Sequence, residues 1–397
     1  MRILFVADGR SPIAINWMRF FVEERYDVHL ASTFSCSPDL RLASLHPVPV
    51  AFSSLVRGKI QTESNSSISI NGSIRPKIRF TKTVSVRFRT AIRQWLGLLT
   101  LPLAVKQLDR VIQEVQPDLI HAMRIPYEGM LTAKIESERP LLLSVWGNDF
   151  TLHARSTPWM ASLSRLALKR ADALHIDCQR DYHLAQAWGF SSQKPAIVLP
   201  GGGGVQRNLF YPPEISPEDP VVVNPRGIRA YVRNDIFFRS IPFILEHLPG
   251  ARFLCPAMAG ESIAQNWING LKLAPHVELL PQLTRTQMGE LFRRAQVTVS
   301  PSIHDGTPNT LLEAMACGCF PVAGDLESLR EWITPGVNGI LFDPNDPHAL
   351  AEAVILALEH PALREIARKM NLQMIEERAE NRQVMEKSEE FYKLLAS

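Results

Sequence analysis

Two carboxylates, Asp305 and Glu313, bracket the start of a short amphipathic segment, and their spacing suits a ligand with an anionic centre and hydroxylated flanks. The stretch 297–321 reads V-T-V-S-P-S-I-H-D-G-T-P-N-T-L-L-E-A-M-A-C-G-C-F-P. Its first residues alternate as a buried strand does, the Ser/Pro/Gly/Asp-rich part that follows is loop, and a helix is expected near Pro308. Thr307 suits the N-cap and Pro308 the first helical position, Leu311, Leu312, Met315 and Ala316 form an apolar face, and Gly318 suits the position just past the helix end. The first N–H groups of such a helix have no intrahelical partner and point at the loop with the positive end of the helix dipole, which makes an anion site. Asp305 lies just before the cap and Glu313 about two turns deeper, so the two carboxylates are placed to accept hydroxyls on either side of a phosphate rather than to share it. That describes a nucleotide sugar. A capped core helix with a surface Glu and a loop Asp fits the same residues, and the pattern alone leaves both open.

The run D-G-T-P-N-T-L-L-E-A-M-A-C-G-C-F-P-V resembles the donor-binding signature of the retaining glycosyltransferases of family 4, which have the GT-B fold, and A-G-D-L-E-S-L-R-E-W-I-T-P-G-V-N-G-I-L-F-D-P from Ala323 onward follows the same family. Asp305 stands where the family usually has Glu. The resemblance implies two Rossmann-like, doubly wound α/β domains facing a cleft, with residues 1–204 as the acceptor domain, 205–379 as the nucleotide-sugar donor domain, and a last helix at 380–397 crossing back to complete the first. It implies that Asp305 orients the transferred sugar, that Glu313 takes ribose hydroxyls, and that Gly306, Thr307, Pro308, Asn309, Thr310 and Leu311 line the donor site. It also places Arg226, in V-V-V-N-P-R-G-I-R-A-Y-V-R-N-D, on the donor diphosphate. The family's nearby Lys is absent, so Arg229 or Arg233 is expected to substitute, with Arg233 favoured; guanidinium keeps the charge and changes the geometry.

These residues need two sheets to carry them. Ile3–Ala7, the loop D-G-R-S-P, the amphipathic stretch from Ile15 to Glu24 and the apolar run from Tyr26 to Ala31 read as the β-loop-α-β opening of a doubly wound sheet. Ligands approach the carboxyl ends of such strands, so Asp8, Gly9 and Arg10 face a crevice, and Gly9 matches the family's donor-side glycine. Strands at Pro117–Met123 and Leu141–Asp149 deliver His121, Trp146, Asn148 and Asp149 to the same side as acceptor-side candidates; Trp146 holds the place of the family's His, and His121 also fits an ordinary strand-end histidine. The four glycines 201–204 read as an interdomain hinge, and a second sheet begins at Val221.

With 43 Lys+Arg against 40 Asp+Glu, a formal charge of +3 argues against a nucleic-acid partner. Cys36, Cys178, Cys255, Cys317 and Cys319 are scattered without metal spacing and suit buried thiols in a reducing cytoplasm. The N-terminal apolar run is too short for a signal-peptide core, and no stretch reaches the roughly 18 apolar residues of a membrane span. From Ser64 to Leu108 there is no acidic residue while Arg75, Lys77, Arg79, Lys82, Arg87, Arg89, Arg93 and Lys106 accumulate beside Trp95 and several leucines. This stretch, 75–105 above all, fits a peripheral contact with the anionic inner face of a membrane, and equally a long acceptor-side loop. The family resemblance implies a metal-independent, front-face transfer from a nucleotide-diphosphate sugar, such as a UDP-sugar, to a glycan, lipid-linked or small-molecule hydroxyl, with no cofactor. A GT-B nucleotide-sugar epimerase and a non-catalytic nucleotide-sugar-binding subunit are the alternatives.

Overall fold

The computed structural model describes residues 1–51, 53 and 97–397. Much of the basic stretch therefore lies outside the described residues. By density of contacts the chain forms two compact units, Met1–Leu143 with His153–Asp172, and Ser144–Leu152 with Ala173–Ser397.

The first sheet is built from β1 (Arg2–Ala7), β2 (Asp27–Ser32), β3 (Ser44–Pro47), β4 (Leu119–Ala122), β5 (Leu141–Val145), β6 (Ala173–Ile176) and β7 (Ala196–Val198), in the order β3-β2-β1-β4-β5-β6-β7. The second holds β8 (Val221–Val223), β9 (Arg252–Cys255), β10 (Val277–Leu279), β11 (Val297–Ser300), β12 (Phe320–Gly324) and β13 (Ile340–Phe342), ordered β10-β9-β8-β11-β12-β13. Both contain the order 3-2-1-4-5-6 of a doubly wound sheet, and the registers of β1 with β2 and β4, and of β8 with β9 and β11, are parallel. The GT-B expectation of two Rossmann-like layers is met. Strands such as Ile3-Leu4-Phe5-Val6 and Val297-Thr298-Val299-Ser300 are buried throughout, as parallel strands covered on both faces must be.

Helices cover the faces: α1 (Pro12–Glu23), α2 (Leu101–Val115), α3 (Pro158–Arg170), α4 (Gln179–Ala187), α5 (Asn234–His247), α6 (Ser262–Leu271), α7 (Arg285–Arg293), α8 (Asn309–Ala316), α9 (Pro347–Glu359), α10 (Pro361–Arg378) and α11 (Asn381–Ala396). Their starts follow local chemistry: Ser11, Thr157 and Asp346 cap α1, α3 and α9, each with Pro next in line. One side of the second sheet packs Ile236, Phe237 and Ile241 of α5 with Leu350 and Val354 of α9 on Phe253 and Val299. The other packs Leu311, Leu312 and Met315 of α8 with Phe292, Trp332 and Ile333. This second cluster sets α8 rigidly at the end of β11.

In the glycine run, Gly203 and Gly204 take φ of +79° and +80°, and a Cβ on Gly204 would lie 2.5 Å from the carbonyl oxygen of Ala379. Beside them Val205 forms a parallel bridge with Glu380, and Asn381 Nδ2 donates to the Gly203 carbonyl at 2.5 Å. The run thus lets the segment before α11 approach the backbone closely.

Candidate functional site

In doubly wound sheets the crevice lies where strand order reverses, beyond the carboxyl ends of the two central strands. In the second sheet those strands are β8 and β11, which release Asn224-Pro225-Arg226 and the loop 301–308 side by side. Arg226 is 9% exposed; its Nη2 meets Asp305 Oδ2 at 2.5 Å and its Nη1 donates to Thr310 Oγ1 at 3.2 Å. Arg226 Nε is buried with no partner among the described residues. A guanidinium is thereby fixed at the first turn of α8, where the helix already presents unpaired N–H groups. Cation and helix start together favour an anion.

The helix begins at Asn309, one residue later than expected, with Pro308 extended (φ −73°, ψ 116°) as its N-cap. Thr307 does not cap because its hydroxyl is used elsewhere: it donates to the Asp177 carbonyl at 2.5 Å and accepts from Trp332 Nε1 at 3.1 Å. Gly318 ends the helix at φ +86°, as expected.

Glu313, largely buried on α8, pairs with Arg285 at 3.0 Å. Burial pushes its carboxyl up to about 7, and the Arg285 charge pulls the other way. Asn309 sits on Gly202, whose added Cβ would lie 2.4 Å from Asn309 Nδ2. Arg229 and Arg233, one of which is expected to join Arg226 on the diphosphate, are both engaged locally: Arg229 Nη1 donates to the Tyr231 hydroxyl at 2.9 Å, while Arg233 forms a two-pronged pair with Asp235 (2.9 and 2.8 Å) and also meets Asn345.

The loop holding Trp146, Asn148 and Asp149 is closed on itself. Asp149 N–H donates to the Trp146 carbonyl at 2.7 Å, the fully buried Asp149 carboxylate accepts the Trp146 N–H at 3.2 Å, and Leu152 N–H donates to the Asn148 carbonyl at 3.1 Å. Gly147 lies against Gly306 so closely that a Cβ on it would come within 1.8 Å of the Gly306 nitrogen. Of the remaining candidates, Gly9 N–H donates to Ser32 Oγ at 3.0 Å, and a Cβ there would strike Cys36 Sγ. His121 is fully buried, its ring 5.5 Å from Phe5 and 6.2 Å from Trp17, a core placement for which its spot on a wholly buried strand gives the reason.

Two residues that the sequence did not single out brace these loops. Arg180, at the start of α4, donates from Nη1 to the Asp305 carbonyl (2.7 Å) and Ser328 Oγ (3.1 Å), and from Nη2 to the Gly147 carbonyl (2.9 Å) and Asp181 Oδ1 (2.8 Å). Asp177 Oδ2 accepts both the Gly147 and the Thr307 N–H at 3.3 Å. Burial and the neighbouring Asp181 push the Asp177 carboxyl up. Asp177, Cys178 and Asp181 could by spacing hold a cation, but the Arg180 guanidinium already lies on Asp181. The signal was available: D-C-Q-R-D follows a buried strand, where carboxyl-end residues meet the crevice.

Comparison with known proteins matches residues 257–375 to the family described as "Glycosyl transferases group 1" and residues 62–177 to "Glycosyl transferase 4-like", together more than half of the chain. The D-inositol 3-phosphate glycosyltransferase of Thermobifida fusca is 26% identical over 201 residues, 46% of each chain. The O-antigen chain mannosyltransferase B of Escherichia coli is 34% identical over 103 residues, 26% of this chain and 24% of that one. The chain spans about half or less of the length of the curated relatives it matches. Among solved structures, sucrose-phosphate synthase from Thermosynechococcus elongatus superposes with a TM-score of 0.76 at 15% identity, covering 100% of this chain and 99% of that one. HepE of Anabaena, in complex with UDP and glucose, gives 0.68 at 16% identity over 98% and 99%.

Proposed function

We propose, from the premise that this chain belongs to the glycosyl transferases group 1 and has their GT-B fold, that it moves a sugar from a nucleotide-diphosphate sugar to an acceptor hydroxyl, with retention and without a metal. The observation that carries this reading is the buried Arg226 guanidinium between Asp305 and the first turn of α8. As the bond from the sugar's C1 to the diphosphate breaks, negative charge grows on the departing oxygen, and a preorganised cation and helix start stabilise that charge more than the ground state. The acceptor oxygen bonds to C1 on the face the diphosphate leaves, and its proton passes to the departing phosphate oxygen. Asp305, held by Arg226, orients the sugar rather than attacking it. Because HepE was solved with UDP-glucose, that donor is the first to test.

The full chain, incubated with UDP-glucose labelled at C1, is expected to release UDP and form a product of unchanged anomeric configuration when an acceptor is supplied. Epimerised nucleotide sugar without acceptor would overturn the reading. Binding with no turnover towards any hydroxylated acceptor would leave a donor-binding subunit instead.

Glu313 gives a pH signature. Ribose hydroxyls donate best to a carboxylate, so UDP-glucose affinity is expected to rise as pH climbs from 6 to 8 through the Glu313 value of about 7, by as much as about tenfold per unit below it. Glu313→Gln should flatten the profile, as read by calorimetry. Stability of the free protein moves oppositely: a carboxyl raised on folding stabilises most below its ordinary value and loses that contribution as pH rises through about 7. UDP-glucose has no ionisation of its own in that window, which isolates the effect. A wild-type affinity that does not change with pH removes Glu313 from the ribose.

For the acceptor side we propose contact with an anionic membrane face. Among the described residues no helix is long and apolar enough to cross a membrane. Leu99 and Trp159, 63% and 55% exposed, line a cavity of about 250 Å³ with Leu98, Leu101, Pro102, Leu163 and Lys134, and Leu103 on α2 is 68% exposed. Helix α3 carries Arg165, Lys169 and Arg170 beside Trp159 and Leu166, and no acidic residue. Arg170 is paired with Asp172 at 3.0 Å, and Arg165 and Lys169 lie on the same helix; exposed apolar side chains with cations on the same helix suit the boundary of anionic headgroups, each such cation contributing about 1 kcal/mol. Wild-type chain should sediment with phosphatidylserine vesicles at low salt, and Trp159→Ala with Leu103→Ala should release it. Failure of the wild type to sediment would refute the contact.

A further inference from the structure

The second sheet has a cavity of about 230 Å³ at the end opposite the Arg226 crevice. Ala295 and Gln296, just before β11, and Cys317 and Gly318, just before β12, line it, so it lies at the amino ends of strands whose carboxyl ends form the crevice. Helix α10 supplies the charge, through Arg364, Glu365 and Arg368. Arg364 Nη1 donates to the carbonyls of Ala357 and Leu358 at 2.7 and 2.6 Å, which fixes the side chain. Burial pulls its guanidinium below the usual range, and no carboxylate opposes that shift. Arg368 is held loosely: Nη1 meets Glu365 Oε2 only at 3.5 Å and Nη2 the Pro213 carbonyl at 3.4 Å, both beyond the usual span of about 2.7–3.2 Å for a nitrogen donor. Its Nε is buried with no partner among the described residues. Glu365 is shared, its other oxygen lying 3.7 Å from Lys369 Nζ. Over these two turns of α10, three cations stand against one carboxylate. The negative end of α8 beside Gly318 gives a reason for a cation there, yet among the described residues Arg368 bonds to no α8 carbonyl. An under-satisfied guanidinium at a cavity calls for an acceptor.

We propose that this cavity binds a small phosphomonoester, with phosphate oxygens on Arg364 and Arg368 and the organic part against Pro213, Pro217 and Ala295. A cation would face two guanidiniums, and an apolar ligand would leave both without an acceptor. A carboxylate offers two oxygens and one charge. A phosphate offers three oxygens and close to two charges, enough to engage both planar forks at once. The wall opposite is firm, because Gln296 Nε2 donates to the carbonyls of Pro217 and Glu218 at 2.7 and 3.0 Å. Prolines and an alanine around a few placed charges match the usual make-up of small-molecule sites. The volume lies below the roughly 300–1,000 Å³ of drug-sized pockets, so the organic part is a few carbons.

Binding here does not depend on the transfer reading above. The full chain is titrated with glycerol 3-phosphate, inorganic phosphate and acetate, followed by line broadening in phosphorus NMR, with acetate read as a competitor. Because the Arg226 crevice also suits an anion, Arg226→Ala removes that site from the measurement. One phosphate site should remain in that variant, with glycerol 3-phosphate bound more tightly than inorganic phosphate and acetate competing poorly. Adding Arg368→Gln should weaken it about tenfold, the size of one charge-assisted hydrogen bond. Adding Glu365→Gln, at a partly exposed position safe for the fold, should tighten it about threefold by removing a like charge. These opposite shifts are also readable in the otherwise wild-type chain, which keeps the site testable if Arg226→Ala or Arg368→Gln unfolds. Loss of all phosphate binding in a folded Arg226→Ala, or affinity unchanged by Arg368→Gln or by Glu365→Gln, overturns the site. Acetate that competes as well as phosphate overturns the choice of phosphate, and glycerol 3-phosphate that binds no more tightly than inorganic phosphate overturns the choice of a monoester.

Discussion

Arg226→Ala is expected to lower turnover on the order of a hundredfold or more, the loss seen when one preorganised donor to a developing oxyanion is removed. Two features make the expectation large. The guanidinium is buried, so its field is weakly screened, and it is held at 2.5 Å by Asp305 and 3.2 Å by Thr310, so nothing needs to reorganise when the diphosphate leaves. Affinity for intact UDP-glucose should fall less than turnover, because the charge Arg226 meets grows only in the transition state. Arg226→Lys should rescue little, since an ammonium cannot span Asp305 and the α8 turn as the planar fork does. Asp305→Ala is expected to impair turnover too, and the double variant to cost less than the sum of the singles, as for residues in direct contact. Initial rates of UDP release measure all four. Turnover for Arg226→Ala within about threefold of wild type would place the leaving group elsewhere.

The architecture was legible because its determinants are local and repetitive. Runs such as I-L-F-V-A and V-T-V-S announce buried parallel strands, and the alternation of such runs with amphipathic segments admits little besides a doubly wound sheet. The start of α8 was legible to within one residue. It slipped because Thr307 is an excellent cap by type, and only the fold reveals that its hydroxyl is spent on Asp177 and Trp332. Contacts between residues more than a hundred positions apart leave no trace in local pattern.

The same distinction separates the candidate site residues. Arg226 and Asp305 were singled out by the family resemblance, and the structure sets both beyond the carboxyl ends of the central strands β8 and β11, where topology places a crevice. Arg180 and Asp177 also follow a strand end, yet their importance lies in what they bridge: Arg180 ties the Gly147 carbonyl to the Asp305 carbonyl, and no spacing rule connects those positions. Arg229 and Arg233 show the converse. Both lie where a cation is expected, but their partners Tyr231, Asp235 and Asn345 are set by side-chain reach. His121, read as either an acceptor-side candidate or an ordinary strand-end histidine, is packed in the core, since the strand carrying it is buried over its whole length.

The tightest of these long-range contacts yields the most severe expected lesion. Gly147→Ala would place a methyl 1.8 Å from the Gly306 nitrogen and 2.2 Å from its Cα. Both are backbone atoms, so no side chain can rotate away; the loops must part. Parting them breaks the Gly147 N–H bond to Asp177 and the Arg180 bond to the Gly147 carbonyl, and it slackens the Asp305 loop that Arg180 also holds. Overpacking of this kind typically costs about 1–3 kcal/mol of stability, so a clear fall in melting temperature is expected. Turnover should fall further than stability, because a displacement near 1 Å of Asp305 disturbs the geometry on which sugar orientation depends. Gly306→Ala should behave likewise, its Cβ meeting the Asp177 carboxylate at 2.4 to 2.7 Å. Gly250→Ala supplies the contrast: no atom lies within 4 Å of its added Cβ, and removing a glycine there should leave the protein as stable or slightly more so. If Gly147→Ala melts and turns over as Gly250→Ala does, the two loops are not packed backbone to backbone, and the bracing by Asp177 and Arg180 loses its basis.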